Sequence, residues 1–426
     1  MLSASEAESL ILNLVQPLDA NRDRQRVPLP AAVGRILAAD VSSQLDFPHW
    51  DNSAMDGYAV RSADVQTCTA TAPITLEVIE DIPAGTPPQK ALQSGQAARI
   101  LTGSMLPTGA DTIVIQENTQ RQGDRVVIFS PPEPQAFVRR RASFYRAGEP
   151  LLPAGIALQG PEAAVLAAAQ CTEIPVYRRP KVAILSTGNE LVTPHDSLKP
   201  GQIVDSNQYA LAALVQLAGA EPLSLGIIPD EPQALKTAIA QAITQADMVL
   251  SSGGVSVGDY DYVDRILSEL GADLQIRAVA VKPGKPLTVA TFAPQLQPPP
   301  PGATESHRIL YFGLPGNPVS ALVGFWRFVE PAIRKLSGLA AHWRPVIVPA
   351  RSQHLLKAGG QRETYLWGQL RADASGLLFS VSGGSHSSGN LINLAQANAL
   401  AIVPVGQTQI LAGETVQVMK VYRPLS

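Results

Sequence analysis

A loop near the middle of the chain combines glycines with side chains that could bind phosphate and a metal ion. The apolar run that starts at Met248 is too short for a buried helix, breaks at Gly253-Gly254, and gives way to a helical pattern after Tyr262. This order predicts a strand, a tight loop and a helix N-terminus, where backbone N–H groups and the helix dipole attract anions. The loop adds two hydroxyls and two carboxylates, Ser252, Ser256, Asp259 and Asp261. Such a loop either binds phosphate with a divalent metal or only packs a strand against a helix.

Other charged residues and turns could contribute to chemistry, and each also has a purely structural explanation. Lys282 and Lys285 bracket a Pro-Gly turn and could attract an oxyanion, or simply be solvent-exposed. Residues 314–318, Leu-Pro-Gly-Asn-Pro, could turn N–H donors toward a ligand or only connect a strand to a helix. Asp56 is either a catalyst or a turn residue, and Glu190 is either a site carboxylate or a helix cap.

An alternation of strands and helices from Lys181 onward predicts the sheet that would position these residues. Strand, loop and helix repeat up to Met248, which gives a mostly parallel sheet covered on both faces. Ligands bind such sheets at the carboxyl ends of the strands, where these polar loops fall. Because several carboxylates, two lysines and three glycine turns would converge at one edge, the sequence predicts a binding site there.

The rest of the chain divides into helical and β-rich stretches. Ser3 and Glu6 form a capping box that opens an N-terminal helix, and residues 30–39 carry the apolar spacing of a second short helix. Short β-like runs between residues 46 and 149 predict a β-rich domain. After about Gly338, further β-like runs predict a small barrel or sandwich.

Composition argues against several classes of protein. The formal net charge of −3 and the pI near 6.1 would not gather nucleic acid. Cys68 and Cys171 lie far apart and lack the spacing of zinc ligands or of a disulfide framework. The N-terminus has no basic segment, and no apolar run reaches the roughly 18 residues of a membrane span. We therefore expect a cytoplasmic protein without nucleic-acid or membrane partners.

Six motifs occur along the chain in a fixed order. They are Asn52 to Ala59, Leu101 to Gly103 with Gly109 to Asp111, Ser186 to Leu191, Ser251 to Gly258, Lys282 to Pro286, and Leu314 to Pro318. In these motifs and their order, over nearly its whole length, the chain resembles the molybdopterin molybdenumtransferases, which are bacterial relatives of the gephyrin C-terminal domain.

The resemblance implies a multidomain α/β and β fold. The implied domains are a helical N-terminal domain of residues 1–45 and 150–180, an inserted β-rich domain of residues 46–149, an α/β molybdopterin-binding domain of residues 181–338 with a mostly parallel sheet, and a C-terminal β-barrel-like domain of residues 339–426. The resemblance also implies a homodimer whose site is shared, because the α/β domain of one subunit faces the inserted domain of the other.

The resemblance also assigns roles to individual residues. The implied catalytic residues are Asp56, Thr102, Glu190, Asp230, Asp261, Lys282 and Lys285. The implied substrate-binding residues are Thr187, Gly188, Ser252, Gly253, Gly254, Val255, Ser256, Gly258, Pro315, Gly316, Asn317, Arg362 and Ser385. Asp230 and Asp261 are the candidates for a Mg²⁺ site.

One position departs from the family pattern. After Arg146 to Glu149 the family usually has an aspartate, and here the residue is Pro150. Proline has no side-chain acceptor and cannot bind a metal. The role of that aspartate is therefore either dispensable in this chain or supplied by Glu149.

The implied reaction inserts molybdate into adenylated molybdopterin and releases AMP. It needs a cradle for the nucleotide, cations near the oxyanion, and Mg²⁺ to polarise the phosphoanhydride. A molybdopterin adenylyltransferase is the candidate donor of the adenylated substrate.

Two alternative functions remain open at this stage. An adenylyltransferase-like enzyme would not need the Asp56 loop or the C-terminal domain. A non-catalytic, gephyrin-like scaffold would keep the fold and lose the carboxylates. The presence of Asp56, Glu190, Asp230 and Asp261 favours the molybdenumtransferase.

Residues 294–307, which include four consecutive prolines, are expected to form an extended, mobile insertion. Deleting them should leave the melting temperature nearly unchanged, because such a segment contributes little to a core. Differential scanning calorimetry of the full chain and the deletion variant measures this. A drop of many degrees would show that the segment is packed.

Overall fold

The computed structural model describes residues 1–254, 260–293 and 308–421, without the side chains of residues 260–262. Residues 255–259, the Asp261 side chain and the proline-rich segment 294–307 therefore lie outside the described part of the chain. Backbone contacts divide the chain into a first unit of Met1–Ala39, Ala154–Ala163 and Glu173–Ser426, and a second unit of Asp40–Pro153 and Ala164–Thr172. The division into four domains stays a prediction.

The N-terminal helix forms as its capping box predicts. The Ser3 hydroxyl accepts a hydrogen bond from the Glu6 amide at 3.2 Å, and the Glu6 carboxylate accepts one from the Ser3 amide at 2.8 Å. The α-helices span Ala4–Leu14, Leu29–Ala32, Gly160–Ala168, Asn207–Leu217, Pro232–Gln245, Tyr260–Glu269, Pro318–Gly324, Glu330–Leu336 and Leu391–Leu394. A π-helical turn spans Phe325–Val329, and 3-10 turns span Ser62–Asp64 and Gln116–Asn118. No helix in the described ranges is long and apolar enough to cross a membrane.

The predicted helix over residues 30–39 is wrong beyond Ala32. The helix ends there, and Gly34 takes a φ of +76°, which a right-handed helix cannot contain. Ile36 and Leu37 instead form isolated β-bridges with later parts of the first unit. The apolar spacing that suggested a helix is thus satisfied by long-range pairing.

The central sheet of the first unit is mostly parallel, as predicted. Its strands lie in the order Glu221–Ile228, Lys181–Thr187, Met248–Ser252, Ile309–Leu314, Pro286–Phe292 and Ala272–Ala278. The first four strands run parallel to one another, and Pro286–Phe292 pairs antiparallel with both Ile309–Leu314 and Ala272–Ala278. Ser186 lies opposite Ser252, and Ser252 lies opposite Leu314, so three neighbouring strands end at the same level.

Helices cover both faces of this sheet. Ile184 and Leu250 pack into one apolar cluster with Leu211 of helix Asn207–Leu217. The neighbouring residues Leu185 and Val249 belong to a second cluster, with side chains of the helices at 232–245 and 260–269. Burial on both faces explains why the strands are continuous apolar runs rather than alternating ones.

The C-terminal β region closes into a barrel, which settles the choice between barrel and sandwich. Its strands are Ile347–Ser352, Glu363–Asp373, Gly376–Val381, Ala399–Val403 and Thr415–Lys420. The sheet closes because the long strand Glu363–Asp373 pairs with Gly376–Val381 along one part of its length and with Ala399–Val403 along another. Phe379 and Leu366 lie in the apolar cluster of this region.

The second unit is built on a β-sheet, as predicted. Its strands lie in the order Thr112–Ile115, Gly57–Val60, Gln96–Ile100, Ile74–Ile82, Arg125–Ile128 and Thr119–Gln122. Buried apolar residues such as Val126 and Ile113 fill a cluster on each side of it.

Short strand pairs complete the fold. In the first unit they are Arg24–Pro28 with Glu173–Tyr177, Leu191–Val192 with Ile203–Val204, Val281–Lys282 with Glu363–Asp373, and Leu356–Lys357 with Gln409–Ile410. In the second unit they are Val41–Ser42 with Pro150–Leu152, and Asn52–Ser53 with Val138–Arg139. Pro150 is thus the exposed first residue of its strand, a position that proline tolerates, and the adjacent Glu149 is exposed as well.

A buried charge cluster joins three parts of the first unit. Arg327, on the π-helical turn, bonds to Glu8 of the N-terminal helix, and its Nε donates to the Tyr365 hydroxyl at 3.0 Å. Tyr365 belongs to the barrel strand Glu363–Asp373 and its hydroxyl donates to Glu363. The Arg344 Nε lies 3.0 Å from the other oxygen of Glu8. Arg327 and Glu8 are both more than nine-tenths buried, so neither can be solvated if its partner is lost.

Arg327→Met should lower the free energy of unfolding by about 3–5 kcal/mol, because it leaves the Glu8 carboxylate buried with only the exposed Arg344 beside it. Adding Glu8→Leu to Arg327→Met should restore much of that loss, because the double variant removes both charges. Urea unfolding followed by tryptophan fluorescence measures both values. Arg277→Met is the control, because its pair with Asp264 involves a side chain that is 66% exposed, and it should cost about 1 kcal/mol or less. A double variant as unstable as Arg327→Met would contradict this explanation.

Candidate active site

A cavity of about 1060 Å³ opens at the carboxyl ends of the parallel strands. Its lining includes Thr187, Glu190, Asp205, Asn207, Asp230, Ser252, Gly253, Gly254, Pro315, Gly316 and Asn317. Three of these residues are carboxylates, and none of the lining residues that the structure describes is lysine, arginine or histidine. We call this space the acidic cavity.

Gly253 brings the loops of the acidic cavity into backbone contact. Its φ is +95°, and a Cβ at this position would lie 2.3 Å from the Thr187 carbonyl oxygen, so no other residue fits without a shift of the backbone. The Gly253 amide donates to the Leu314 carbonyl at 3.2 Å. A Cβ on Gly316 would lie 3.5 Å from the Gly253 Cα. Loops from three strands therefore form one backbone surface, which a ligand can approach closely because the glycines carry no side chain.

Asn207 connects two of these loops through its side chain. Its Nδ2 donates to the Ser252 hydroxyl at 2.6 Å and to the Gly316 carbonyl at 2.8 Å. Asn207 is the first residue of helix Asn207–Leu217 and is 6% exposed. Because one buried amide holds both loops, Asn207 positions Ser252 and Gly316 with respect to each other.

Two carboxylates lie at the exposed edge of the acidic cavity. The Asp230 amide donates to the Asn189 side chain at 3.1 Å, which ties the loops after two neighbouring strands together. The Glu190 carboxylate lies against Gly188, where a Cβ would come within 2.7 Å of it. Within the described residues no three His, Cys, Asp or Glu side chains form a metal-binding group. The Asp261 side chain lies outside those residues, so a metal site made by Asp230 and Asp261 stays a prediction.

A second cavity, of about 660 Å³, lies between the Lys282–Pro286 turn and the C-terminal barrel. Its lining includes Lys282, Lys285, Pro286, Asn317, Lys357, Arg362, Ser385 and His386. The structure describes no carboxylate in this lining. We call it the basic cavity. Pro286 and Asn317 line both cavities, so the two spaces adjoin.

Bonds to backbone groups, rather than acidic partners, hold the turn that carries the two lysines and the side chain of Arg362. The Val279 amide donates to the Lys285 carbonyl at 3.0 Å and closes the turn that carries both lysines. The Arg362 Nη1 donates to the Val281 carbonyl at 3.2 Å. Among the described residues no carboxylate lies within ion-pair distance of Lys282, Lys285 or Arg362. Their charges remain available to an anion.

In the second unit the structure pairs Asp56 with Thr102. The Oδ1 of Asp56 accepts hydrogen bonds from the Thr102 hydroxyl and from the Thr102 amide, each at 2.7 Å. These two bonds lower the pKa of the Asp56 carboxyl, the hydroxyl bond most strongly. Asp56 is therefore held as a carboxylate, and both of these bonds are made to the same oxygen.

The described site residues of the first unit fall into the two cavities. Those at the acidic cavity are Thr187, Glu190, Asp230, Ser252, Gly253, Gly254, Pro315 and Gly316. Those at the basic cavity are Lys282, Lys285, Arg362 and Ser385. Asn317 lines both cavities, and Gly188 adjoins Glu190. Val255, Ser256, Gly258 and the Asp261 side chain lie outside the described residues, and Asp56 and Thr102 belong to the second unit. The roles assigned to all of these residues stay predictions.

Among the residues that line the cavities, sequence reasoning assigned no role to Asp205, Asn207 and Lys357. Asp205 and Asn207 stand in an Asp-Ser-Asn sequence that is typical of a helix start, and only their long-range surroundings show that they face a cavity. Lys357 belongs to no motif that the sequence analysis identified, and it reaches the basic cavity through the short strand Leu356–Lys357.

The fold and the cavities define an α/β protein with a glycine-loop surface at the carboxyl ends of its strands and an adjoining basic pocket completed by a C-terminal barrel. Three family profiles match the chain: the MoeA N-terminal region (domain I and II) at residues 2–169, the probable molybdopterin binding domain at 183–335, and the MoeA C-terminal region (domain IV) at 349–421.

Relatives of known name match the whole chain. A molybdopterin molybdenumtransferase of Nostoc sp. is 56% identical over 99% of this chain and 94% of its own length. The enzyme of the same name from Haemophilus influenzae is 34% identical over 98% of each chain. The crystal structure of the molybdopterin biosynthesis MoeA protein from Pyrococcus horikoshii aligns with a TM-score of 0.82 at 29% identity, over 99% of this chain and 100% of that one. The chain belongs to the MoeA family of molybdopterin molybdenumtransferases.

Thr102→Val should raise the pKa of Asp56 toward its ordinary value, because it removes the hydroxyl that contributes most to lowering that pKa. The carboxylate would then become protonated at a higher pH than in the wild type. Thr102→Ser keeps the hydroxyl and should keep the lowered pKa. Carbonyl-carbon NMR titration of the Asp56 side chain measures both variants, and equal titration curves for wild type and Thr102→Val would contradict the assignment.

Proposed function

We propose that this enzyme of molybdenum cofactor biosynthesis inserts molybdate into adenylated molybdopterin and releases AMP. The observation that carries the proposal is the contact between two cavities of opposite charge, which share Pro286 and Asn317. One cavity suits an oxyanion, and the other has the glycine loops of a nucleotide or pterin phosphate site. A reaction between an oxyanion and a phosphate-activated pterin needs these two sites side by side.

In the proposed reaction the basic cavity binds molybdate. Lys282, Lys285 and Arg362 lack acidic partners among the described residues and supply positive charge, while Ser385 supplies a hydroxyl. The charge attracts the oxyanion and offsets the repulsion between it and the substrate phosphates.

The acidic cavity takes the adenylated pterin in this proposal. The backbone around Gly253 and Gly316 approaches the phosphates closely, and Asn207 holds the two loops at a fixed separation. Glu190 and Asp230 offer carboxylate oxygens, which are the ligands that Mg²⁺ prefers, in a cavity without a described basic residue. We propose that Asp230 and Asp261 hold Mg²⁺, which when bound would polarise the phosphoanhydride.

We further propose that the enzyme works as a cytoplasmic homodimer supplied by a molybdopterin adenylyltransferase. In the dimer, Asp56 and Thr102 of one subunit would complete the site of the partner's α/β sheet. An adenylyltransferase-like function fits less well, since it does not account for the barrel residues Arg362 and Ser385 in the basic cavity. A scaffold function does not account for the exposed Glu190 and Asp230.

The proposed function is tested by following AMP. Purified enzyme is incubated with adenylated molybdopterin and Mg²⁺, with and without molybdate, and AMP is separated by chromatography. AMP release that depends on molybdate, together with molybdenum bound to the pterin product, is the expected result. No AMP above background in the presence of molybdate would refute the proposal.

The shared site predicts that two inactive variants complement each other. Asp56→Asn subunits mixed with Asp261→Asn subunits should give about a quarter of wild-type AMP release, since half of the dimers are mixed and each of these has one intact site out of two. If both aspartates served the same subunit's site, every site in the mixture would carry a lesion. Native mass spectrometry confirms subunit exchange, and activity no higher than that of either variant alone would then exclude a shared site.

A further inference from the structure

The acidic cavity contains a buried carboxylate that the proposed chemistry leaves unused. Asp205 is 3% exposed, and its amide donates to the Val192 carbonyl at 2.9 Å, which fixes its backbone. Its Oδ1 accepts from the Gln208 amide at 3.2 Å. Its Oδ2 is buried and has no hydrogen-bond partner among the described residues. A buried carboxylate oxygen without a donor is unfavourable unless a ligand supplies one.

A second acceptor of the same kind lies two residues away. The Nδ2 of Asn207 donates to Ser252 and to the Gly316 carbonyl, and a carbonyl can only accept, so the orientation of the amide is fixed. The Asn207 Oδ1 is then the remaining atom, and within the part of the chain that the structure describes it too is buried without a partner. Asp205 and Asn207 both line the acidic cavity.

The two atoms together indicate which ligand chemistry the cavity accepts. Both are acceptors, so a complementary ligand presents N–H or O–H donors to them. A metal ion is a poorer match, because Asp205 does not form a group of three metal-binding side chains with the other described residues. The described lining also contains no lysine, arginine or histidine that could pair with Asp205.

We propose that Asp205 binds the 2-amino-4-oxopyrimidine edge of the pterin ring, with Asn207 as a second acceptor. The inference rests on the proposed function and deepens it, because it places the pterin end of the substrate, rather than the adenylate end, in this part of the cavity. The pterin edge carries a ring N–H beside an amino group, and a carboxylate can accept from two such adjacent donors. Adenine presents its amino group beside a ring nitrogen that is an acceptor. That nitrogen and a carboxylate oxygen repel each other, so adenine fits this position less well.

The alternative explanation is that Asp205 only caps the helix that begins at Asn207. One of its oxygens does accept from the Gln208 amide, and this accounts for Oδ1 but not for Oδ2. Asp205→Asn separates the two roles. The asparagine keeps an oxygen for the cap, and its NH₂ group presents donors where the pterin also presents donors.

The test measures equilibrium binding of two probes, molybdopterin and AMP, under anaerobic conditions. Asp205→Asn should weaken molybdopterin binding by about 10- to 100-fold, the range for losing hydrogen bonds to a charged group. AMP binding should change by less than about twofold, because the adenylate end does not contact Asp205 in this proposal. Asp196→Asn is the matched control, since that exposed carboxylate caps the Thr193 amide at 2.9 Å and does not line the cavity. It should bind both probes as the wild type does.

Each alternative result overturns the assignment. Wild-type molybdopterin affinity in Asp205→Asn would show that Asp205 does not bind the pterin. Equal losses of affinity for molybdopterin and for AMP would show that Asp205 only shapes the cavity. If Asp205→Asn does not fold, Asp205→Ser, which keeps a capping hydroxyl, takes its place with the same expectations. Failure of the proposed function would be visible separately, as the absence of molybdate-dependent AMP release by the wild type.

Discussion

The candidate site depends on the register of three neighbouring parallel strands. Ser186 pairs with Ser252, and Ser252 with Leu314, so the loops that follow these strands start at one level of the sheet. The Gly253 amide extends this ladder by donating to Leu314. A slip of one residue would turn each side chain to the other face and would separate the loops. This register also requires a glycine at position 253, because a Cβ there would clash with the Thr187 carbonyl oxygen.

Charge is segregated between the two cavities, and this segregation organises the chemistry. An oxyanion is repelled by the carboxylates of one cavity and attracted by the cations of the other, so its position is decided before any specific contact forms. In the proposed reaction the phosphate-bearing substrate takes the acidic side, where the described lining offers backbone groups and the start of helix Asn207–Leu217 rather than cationic side chains. Asn317 and Pro286 line both spaces, so the proposed reaction would bring its two reactants together beside them.

The parallel sheet, its glycine loops and the β-rich C-terminal region could be predicted from the sequence, because periodicity and turn residues are local signals. The helix predicted at residues 30–39 is wrong beyond Ala32 because Ile36 and Leu37 form β-bridges with distant residues, which no local signal encodes. The positions of Asp205 and Asn207 in the cavity were not predicted either, because they too depend on long-range contacts. The contacts that define Asn207 reach 45 and 109 residues along the chain, and its local sequence fits an ordinary helix start equally well.

The buried charge cluster explains how the basic cavity keeps its charge. Glu363 follows Arg362 directly and is the obvious partner for it, yet the Glu363 carboxylate accepts from the Tyr365 hydroxyl instead. Tyr365 is in turn held by Arg327, whose own charge is met by Glu8. The acid nearest to Arg362 in sequence is thus tied into the buried cluster, and Arg362 bonds only to a backbone carbonyl among its described contacts. Because Arg362 bonds to a neutral carbonyl, no acid offsets its charge, and the charge can attract an oxyanion. The buried cluster thus both fixes the barrel strand and leaves the pocket its positive charge.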